Sequence, residues 1–146
     1  MKKVIIIGGS KGIGRAITES LLATHQVINI SRSTPEIQHE NLSHYTCDVL
    51  VDELPEIDQA EGLIYCPGSI NLKPFNRLSV TDFKTDFEIN VIGAVKAIQA
   101  YTKTLSQADS ASVVLFSTVA TKLGMPFHAS VATAKSAVEG LTKSVA

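Results

Sequence analysis

A short apolar run that leads directly into a glycine-rich turn constrains the fold of this chain more than any other feature. The run is Val4-Ile5-Ile6-Ile7, and the turn is Gly8-Gly9-Ser10-Lys11-Gly12-Ile13-Gly14. A short β-branched run is typical of a strand buried on both faces of a parallel sheet. Apolar residues then recur at helical spacing from Ile13 to Leu21. Strand, turn and helix together predict a cradle for a nucleotide phosphate, because the helix N-terminus favours negative charge. A plain turn is the alternative for the glycines alone.

Strand and helix signals alternate along the whole chain, which indicates βαβ units. Strands are predicted at residues 4–7, 26–30, 43–47, 62–66 and 112–117. We therefore predict an α/β fold of the Rossmann type, a doubly wound parallel sheet of about five strands in the order 3-2-1-4-5, with helices on both faces. The length of 146 residues predicts a single domain over residues 1–146.

Four helices are predicted, three between these strands and one after the last strand. They cover residues 12–23, an acidic stretch at 52–59 with Pro55 in its first turn, residues 81–106 in one or two pieces, and residues 130–146. The third should bury Val91, Val95, Ile98, Tyr101 and Leu105, and the last should bury Ala134, Ala137, Val138, Leu141 and Val145. The last helix has no stop signal, and the fifth strand is apolar on both faces, so further chain or a partner is expected to follow.

Composition excludes several classes of protein. The net charge is -1 and no basic block occurs, so electrostatic binding to nucleic acid is not expected. Lys96 interrupts the most apolar stretch, which predicts no membrane span. Cys47 and Cys66 fall on strands that are not neighbours in the predicted order, so both are expected to be reduced in a cytoplasmic protein.

No metal site is predicted. His39, Glu40 and His44 are close in sequence, but a five-residue spacing does not put both imidazoles on one helix face. We interpret this segment as a solvated loop.

The glycine turn and the order of the later motifs resemble the short-chain dehydrogenase/reductase family, over essentially the full length of the chain. Gly8, Gly12 and Gly14 match the opening motif of that family, with Ile7 in the place of its threonine. Members usually carry a further pair of strands and a substrate loop that this sequence lacks.

The resemblance also indicates the cofactor. At the end of the second strand, where NAD-dependent members carry an acidic residue, this sequence has Ser31-Arg32-Ser33. A guanidinium suits a 2′-phosphate, and Lys11 adds a second positive charge, so NADP(H) is favoured over NAD(H). The alternative is that Arg32 is an ordinary exposed arginine.

Two further motifs would line the cofactor. Asp48-Val49 resembles the family's pair that contacts the adenine amino group, although a plain strand-end aspartate is the alternative. Cys66-Pro67-Gly68, after Tyr65, stands where the family has Asn-Ala-Gly, and only the glycine is kept. The wall beside the cofactor is therefore expected to differ, because proline has no N–H.

The catalytic motifs are incomplete. Lys135 matches the lysine of the family's active site, Thr118 matches the serine that polarises the carbonyl oxygen, with Ser117 beside it, and Asn90 matches the asparagine that supports a water chain to the lysine. Val131 stands in the place of the catalytic tyrosine. Valine cannot transfer a proton, and a positioned acid is typically worth about 10²–10⁴-fold in rate.

Each of these residues also has a structural interpretation. Lys135, Glu139 and Lys143 are four apart, which is typical of ion pairs along a helix, and Asn90 could bend or cap its helix. His128, three residues before Val131, is a candidate replacement acid, but a solvated loop histidine is the commoner case. Neighbouring Ser130 has a hydroxyl that would need a base.

Three hypotheses follow for the function. The first is an NADP(H)-dependent oxidoreductase that transfers hydride between the nicotinamide and a small-molecule carbonyl or alcohol, slowly because the tyrosine is missing. The second is a dinucleotide-binding sensor or regulatory subunit without catalysis. The third is an interaction scaffold, since helices of the family pair in dimers and tetramers, and a homo-oligomer is expected in each case.

Overall fold

The computed structural model describes residues 1–146 and contains one five-stranded sheet. The strands are β1 (Lys2–Ile7), β2 (His25–Ser31), β3 (Leu42–Thr46), β4 (Gly62–Tyr65) and β5 (Ser112–Leu115). Their order is β3-β2-β1-β4-β5, and the pairs β1–β2, β1–β4 and β2–β3 are parallel. The predicted Rossmann-type α/β fold and the predicted strand order are confirmed.

Five α-helices accompany the sheet. They are α1 (Gly12–Leu21), α2 (Val80–Phe87), α3 (Gly93–Ser106), α4 (Ala120–Leu123) and α5 (Ala129–Val145). A π-helical segment, Glu88–Ile92, joins α2 to α3, so the helix predicted at 81–106 is present in two pieces around a π-bulge. None of these helices combines the length and the apolar character that a bilayer crossing requires.

The acidic helix predicted at residues 52–59 is wrong, because this stretch has no helical structure. Two of its carbonyl groups accept hydrogen bonds from side chains of α3 instead of from the backbone N–H groups of a helix. Tyr101 Oη donates to the carbonyl oxygen of Pro55 at 2.9 Å, and Thr104 Oγ1 donates to that of Ile57 at 2.8 Å. Tertiary hydrogen bonds have overridden a weak local propensity.

The chain divides into two compact units, one formed by Met1–Cys66 and Lys96–Val114 and the other by Pro67–Val95 and Leu115–Ala146. The first unit has a core on β1 and β2 in which Val4, Ile6 and Val27 are buried. The second has a core of Val91, Ala134 and Val138. The prediction of one domain over residues 1–146 stays a prediction.

Burial agrees only in part with the predicted helix faces. Along the long helix Val91, Tyr101 and Leu105 are buried, as expected. Val95 and Ile98 are half-buried, and the smaller Ala94 and Ala97 take the fully buried positions. On α5, Ala134 and Val138 are buried and Ala137 and Leu141 half-buried, but Val145 is 53% exposed. Val113 and Val114 of β5 are also exposed, as the open-edge prediction requires.

Candidate functional site

The glycine turn between β1 and α1 adopts a conformation that needs glycine. Gly8 and Gly12 have φ values of 81° and 55°, in the region where side chains are disfavoured. A Cβ on Gly14 would lie 2.1 Å from the carbonyl oxygen of Gly8, so α1 packs against the turn with no room for a methyl group. A Cβ on Gly12 would meet nothing within 4 Å, which leaves that side of the turn open.

The N-terminus of α1 has the features that favour an anion. Lys11, its N-cap residue, makes no side-chain capping hydrogen bond, and the first turn contains no acidic residue. The N–H groups of that first turn lack intrahelical partners, as in any helix, and attract an anion together with the helix dipole. An exposed Lys11 adds positive charge at the same end. The predicted residues of this motif lie together between the end of β1 and the first turn of α1. They are Gly8, Ser10, Gly12, Ile13 and Gly14.

A buried asparagine that sequence reasoning missed holds the turn in place. Asn29 on β2 is fully buried, and its Oδ1 accepts a hydrogen bond from the backbone N–H of Gly9 at 2.8 Å. Thr18 Oγ1 donates to the carbonyl oxygens of Gly9 and Gly14, at 3.3 and 2.9 Å. The available signal is a polar residue within the apolar β2 strand, where an unpaired amide would be costly.

The end of β2 is linked to the glycine turn. Ser10 Oγ and Ser33 Oγ are 3.0 Å apart, and Ser31 Oγ donates to the carbonyl oxygen of Ser33 at 3.0 Å. The structure therefore brings Ser10, Ser31 and Ser33 together. Arg32, between Ser31 and Ser33, is exposed, and none of these three residues carries a carboxylate.

The other predicted cofactor contacts of the first unit lie after β3 and β4. Asp48 Oδ1 accepts from the backbone N–H of Leu50 at 3.0 Å and thereby shapes a turn, and Val49 is buried. Cys66 extends the pairing of β4 by donating its N–H to the carbonyl oxygen of Ile7 at 3.0 Å. Burial raises the pKa of the Cys66 thiol to about 11, and both cysteines are free.

In the second unit, Gly68, Asn90 and Lys135 come together. A Cβ on Gly68 would lie 3.1 Å from Asn90 Oδ1 and 3.6 Å from Lys135 Nζ, so both side chains border the same small space. Asn90 is buried in the π-helical segment, a type of irregularity that is frequent at functional sites. Burial lowers the pKa of Lys135 below its usual range. Pro67 is half-buried beside them.

The two hydroxyl residues after β5 have different hydrogen bonds. Ser117 Oγ donates to Glu139 Oε1 at 2.5 Å, so its proton is committed to that carboxylate. Thr118 Oγ1 accepts from the backbone N–H of Ala120 at 3.3 Å, a bond that leaves the hydroxyl proton unused. Of the two, Thr118 is therefore better suited to donate a hydrogen bond to a carbonyl oxygen.

Glu139 is held by hydroxyl groups rather than by a neighbouring lysine. Besides Ser117, Thr121 Oγ1 donates to Glu139 Oε1 at 2.9 Å, and these bonds lower the pKa of the Glu139 carboxyl. Neither Lys135 nor Lys143 takes part in a salt bridge. The ion-pair stripe considered for α5 is therefore not formed.

The positions considered for the missing acid offer no obvious substitute. Val131 is 5% exposed and packs inside the second unit. His128 is the N-cap residue of α5, and its Nδ1 donates to the carbonyl oxygen of Pro126 at 2.6 Å. Ser130 Oγ is buried and bonds to Asp86. The structure holds no group of three His, Cys, Asp or Glu side chains that could bind a metal ion.

A parallel sheet in this order, with a glycine turn between the first strand and the first helix, defines the class of Rossmann-type dinucleotide-binding proteins. Within that class, the family model described as short chain dehydrogenase matches residues 2–146. The chain belongs to this family of oxidoreductases, whose members bind a nicotinamide cofactor.

The chain is 26% identical to a 2,5-dichloro-2,5-cyclohexadiene-1,4-diol dehydrogenase of Sphingobium indicum in an alignment 160 positions long. The alignment covers 97% of this chain and 64% of that protein. The chain thus spans less than two thirds of the length of this curated relative.

Two solved structures share the fold. A short-chain dehydrogenase family protein from Francisella tularensis matches with a TM-score of 0.86 and 24% identity, over 100% of this chain and 63% of that one. The structure of ElxO with NADP bound matches with a TM-score of 0.89 and 24% identity, over 99% of this chain and 66% of that one.

Proposed function

We propose that this chain binds NADP(H) and supports slow hydride transfer between the nicotinamide and a small-molecule carbonyl or alcohol. The observation that carries the proposal is the N-terminus of α1, which has no side-chain cap and is open on the side of Gly12. The end of β2 carries an arginine and no carboxylate. Family membership supports a nicotinamide cofactor, and ElxO, which shares the fold, binds NADP.

Within the first unit, the proposed contacts concern the phosphates and the adenosine. The N–H groups at the start of α1 would hold the pyrophosphate, and Arg32 with Lys11 would bind a 2′-phosphate. The hydroxyls of Ser10 and Ser33 would supply further hydrogen bonds to it. Asp48 would accept from the adenine amino group, with Val49 packed against the ring and Cys66 at the end of β4.

Within the second unit, the proposed contacts concern the nicotinamide end. The bound cofactor supplies a hydride donor or acceptor. Lys135 would bind its ribose hydroxyls as an ammonium, beside Pro67, Gly68 and Asn90, and Thr118 would donate a hydrogen bond to the substrate oxygen. The Val131 side chain cannot transfer a proton, so water must supply it and turnover should be slow.

Replacement of Val131 tests this account. We expect Val131→Tyr to raise turnover against a panel of carbonyl substrates by about 10²–10⁴-fold, because the phenol restores a general acid four residues before Lys135. Val131→Phe is the matched control, since it adds the same ring at this buried position without the hydroxyl. NADPH oxidation followed at 340 nm is the readout. Equal activity of the tyrosine variant and the parent would show that the missing acid does not limit turnover.

The second candidate, a sensor without catalysis, rests on the buried Val131 and on Pro67 beside the predicted nicotinamide site. It predicts that NADPH binds tightly and stays reduced for hours with every substrate in the panel. The Val131→Tyr variant would then bind NADPH and remain inactive as well.

We also propose a homo-oligomer, a dimer or a tetramer, in the cytoplasm. An open apolar groove of about 450 Å³ lies along α2 and α5, lined by Phe83, Phe87, Ile92 and Ala134. Two free cysteines are consistent with a reducing compartment. Sedimentation of the purified chain tests the oligomeric state, and a monomer at all concentrations would contradict it.

A further inference from the structure

A buried carboxylate that the proposed function does not use lies on α2, four residues before Asn90. Asp86 is 1% exposed. Its two carboxylate oxygens each accept a hydrogen bond from a serine hydroxyl, Oδ1 from Ser69 and Oδ2 from Ser130, both at 2.5 Å. A buried carboxylate is costly unless its oxygens are hydrogen-bonded, so these hydroxyl protons are committed to Asp86.

Each hydrogen bond between Asn90 and Asp86 is donated towards Asp86. Because Ser69 has a single hydroxyl proton and gives it to Asp86, its oxygen can only accept from a third group. That group is Asn90, whose Nδ2 donates to Ser69 Oγ at 3.1 Å. The same Nδ2 donates to the backbone carbonyl oxygen of Asp86 at 2.8 Å. Both amide protons of Asn90 are therefore used.

The orientation of the Asn90 amide follows from this chain of donors. With its nitrogen fixed towards Ser69, its carbonyl oxygen Oδ1 faces the other way. Oδ1 is buried and is the one such side-chain oxygen or nitrogen without a hydrogen-bond partner in the structure. It borders the space over Gly68 that Lys135 Nζ also borders. An oxygen that accepts no hydrogen bond and an ammonium group, which is a donor, therefore face the same space.

We propose that Asp86 is a positioning residue that acts through Ser69, fixing the Asn90 amide so that its oxygen rather than its nitrogen faces the space beside Lys135. The proposal rests on the proposed function for the role of Lys135 in cofactor binding. The oxygen stabilises the charged ammonium, which burial alone would disfavour. Reversal of the amide would instead place an NH₂ group beside that charge.

Removal of the carboxylate should permit this reversal. In Asp86→Asn the new amide can donate to Ser69, which then becomes free to donate its own proton to Asn90. The alternative amide orientation becomes compatible with the network, although the bond from Asn90 to the backbone of residue 86 resists it. In Ser69→Ala the link is cut, and the Asn90 amide loses one of its two anchors.

Two signals from the full chain, measured without cofactor, test the proposal. The first is the pKa of Lys135, from the titration of its side-chain NMR resonances, assigned with Lys135→Arg. The second is the hydrogen-exchange rate of the Asn90 side-chain amide. We expect Asp86→Asn and Ser69→Ala to lower the measured Lys135 pKa by about one unit. We expect them to accelerate the amide exchange by about tenfold.

Ser130→Ala is the matched control. Ser130 bonds to the same carboxylate as the half-buried Ser69 and is itself fully buried, but it lies off the path to Asn90. We expect this variant to lower the melting temperature and leave both NMR signals at parent values. The same values in Ser69→Ala as in Ser130→Ala would overturn the proposal, and this comparison still decides if Asp86→Asn does not fold.

The test separates this proposal from the proposed function, because neither signal needs a cofactor. If the variants show these changes but the chain does not bind NADPH, the positioning role of Asp86 is supported and the NADP(H) proposal is contradicted. A chain that binds NADPH but shows no shift retains the cofactor and loses the positioning role.

Discussion

Among single residues, Arg32 is the one on which the proposed preference for NADP(H) over NAD(H) depends most. Its side chain is exposed in the turn after β2, next to the hydroxyl pair of Ser10 and Ser33. A guanidinium bonds to phosphate oxygens in pairs, and NADPH and NADH differ only by the 2′-phosphate. The contribution of Arg32 should therefore appear with one dinucleotide and be absent with the other.

We expect Arg32→Ala to weaken NADPH binding by about 10–100-fold, which corresponds to the loss of a charged hydrogen bond of about 1.5–3 kcal/mol. NADH binding should stay at the parent value, because NADH has no group for Arg32 to hold. Arg77→Ala removes an exposed arginine of the second unit and serves as the control. Fluorescence titration with both dinucleotides gives the affinities. Equal weakening of both would show that Arg32 does not bind the 2′-phosphate.

At the scale of elements, the passage from β1 to α1 depends on a close approach of backbone to backbone. Gly14→Ala would place a methyl group 2.1 Å from the Gly8 carbonyl oxygen. Gly14 is held in α1, and Gly8 is held directly after β1 by its N–H bond to the carbonyl oxygen of Ile30 at 2.8 Å. We expect a loss of unfolding free energy of about 2 kcal/mol or more and a large loss of NADPH affinity. Urea unfolding followed by circular dichroism measures the first effect.

Gly140→Ala is the matched control for this change. Gly140 is exposed on α5, and a Cβ there would meet nothing within 4 Å. Alanine in a helix is favoured over glycine by about 0.5–1 kcal/mol, so this variant should be more stable than the parent. A neutral Gly14→Ala together with a stabilised Gly140→Ala would contradict the packing of α1 against the glycine turn.

The start of α2 carries a pH-dependent contribution to stability. Asp82 accepts from the backbone N–H of Ser79 at 2.8 Å and from Lys73 Nζ at 3.1 Å, and these bonds hold the pKa of the Asp82 carboxyl well below its usual range. Because the folded state favours the ionised form, the contribution is present at neutral pH. It is lost as the pH falls below the ordinary aspartate range towards the depressed pKa.

We therefore expect Asp82→Asn to lower stability at about pH 7 and to reduce the loss of stability between about pH 5 and pH 2. Asp109→Asn, at an exposed carboxylate outside the helices, is the control and should keep the pH dependence of the parent. Urea midpoints across this pH range provide the measurement. An unchanged pH dependence in Asp82→Asn would contradict the role of the capping carboxylate.

The elements also show what the sequence could predict. Local patterns placed the five strands within two residues at each end, because β-branched runs and glycine breaks are visible in a short window. The prediction of a helix at residues 52–59 was wrong, because carbonyl groups of this stretch accept hydrogen bonds from side chains of α3, over forty positions later. The predicted burial of Val145 was wrong, because helical periodicity identifies the apolar face of a helix but not what covers that face.

At the scale of the whole molecule, the predicted site residues lie in two compact units that the sequence did not distinguish. The phosphate and adenosine residues fall in the first, and Gly68, Asn90, Thr118 and Lys135 fall in the second. The buried polar networks escaped prediction for a physical reason. Asn29 with the glycine turn, and Asp86 with two serines, join residues that are 17 to 44 positions apart. No short window contains both partners of such a bond.

We propose that this chain selects NADP(H) at the glycine turn and the end of β2. Its most direct test is a titration of the 146-residue chain with NADPH and with NADH, following nicotinamide fluorescence at one ionic strength. We predict that NADPH binds more tightly by about tenfold or more, the minimum expected for one charged contact to the 2′-phosphate. Tighter binding of NADH, or no response to either dinucleotide, would contradict the account.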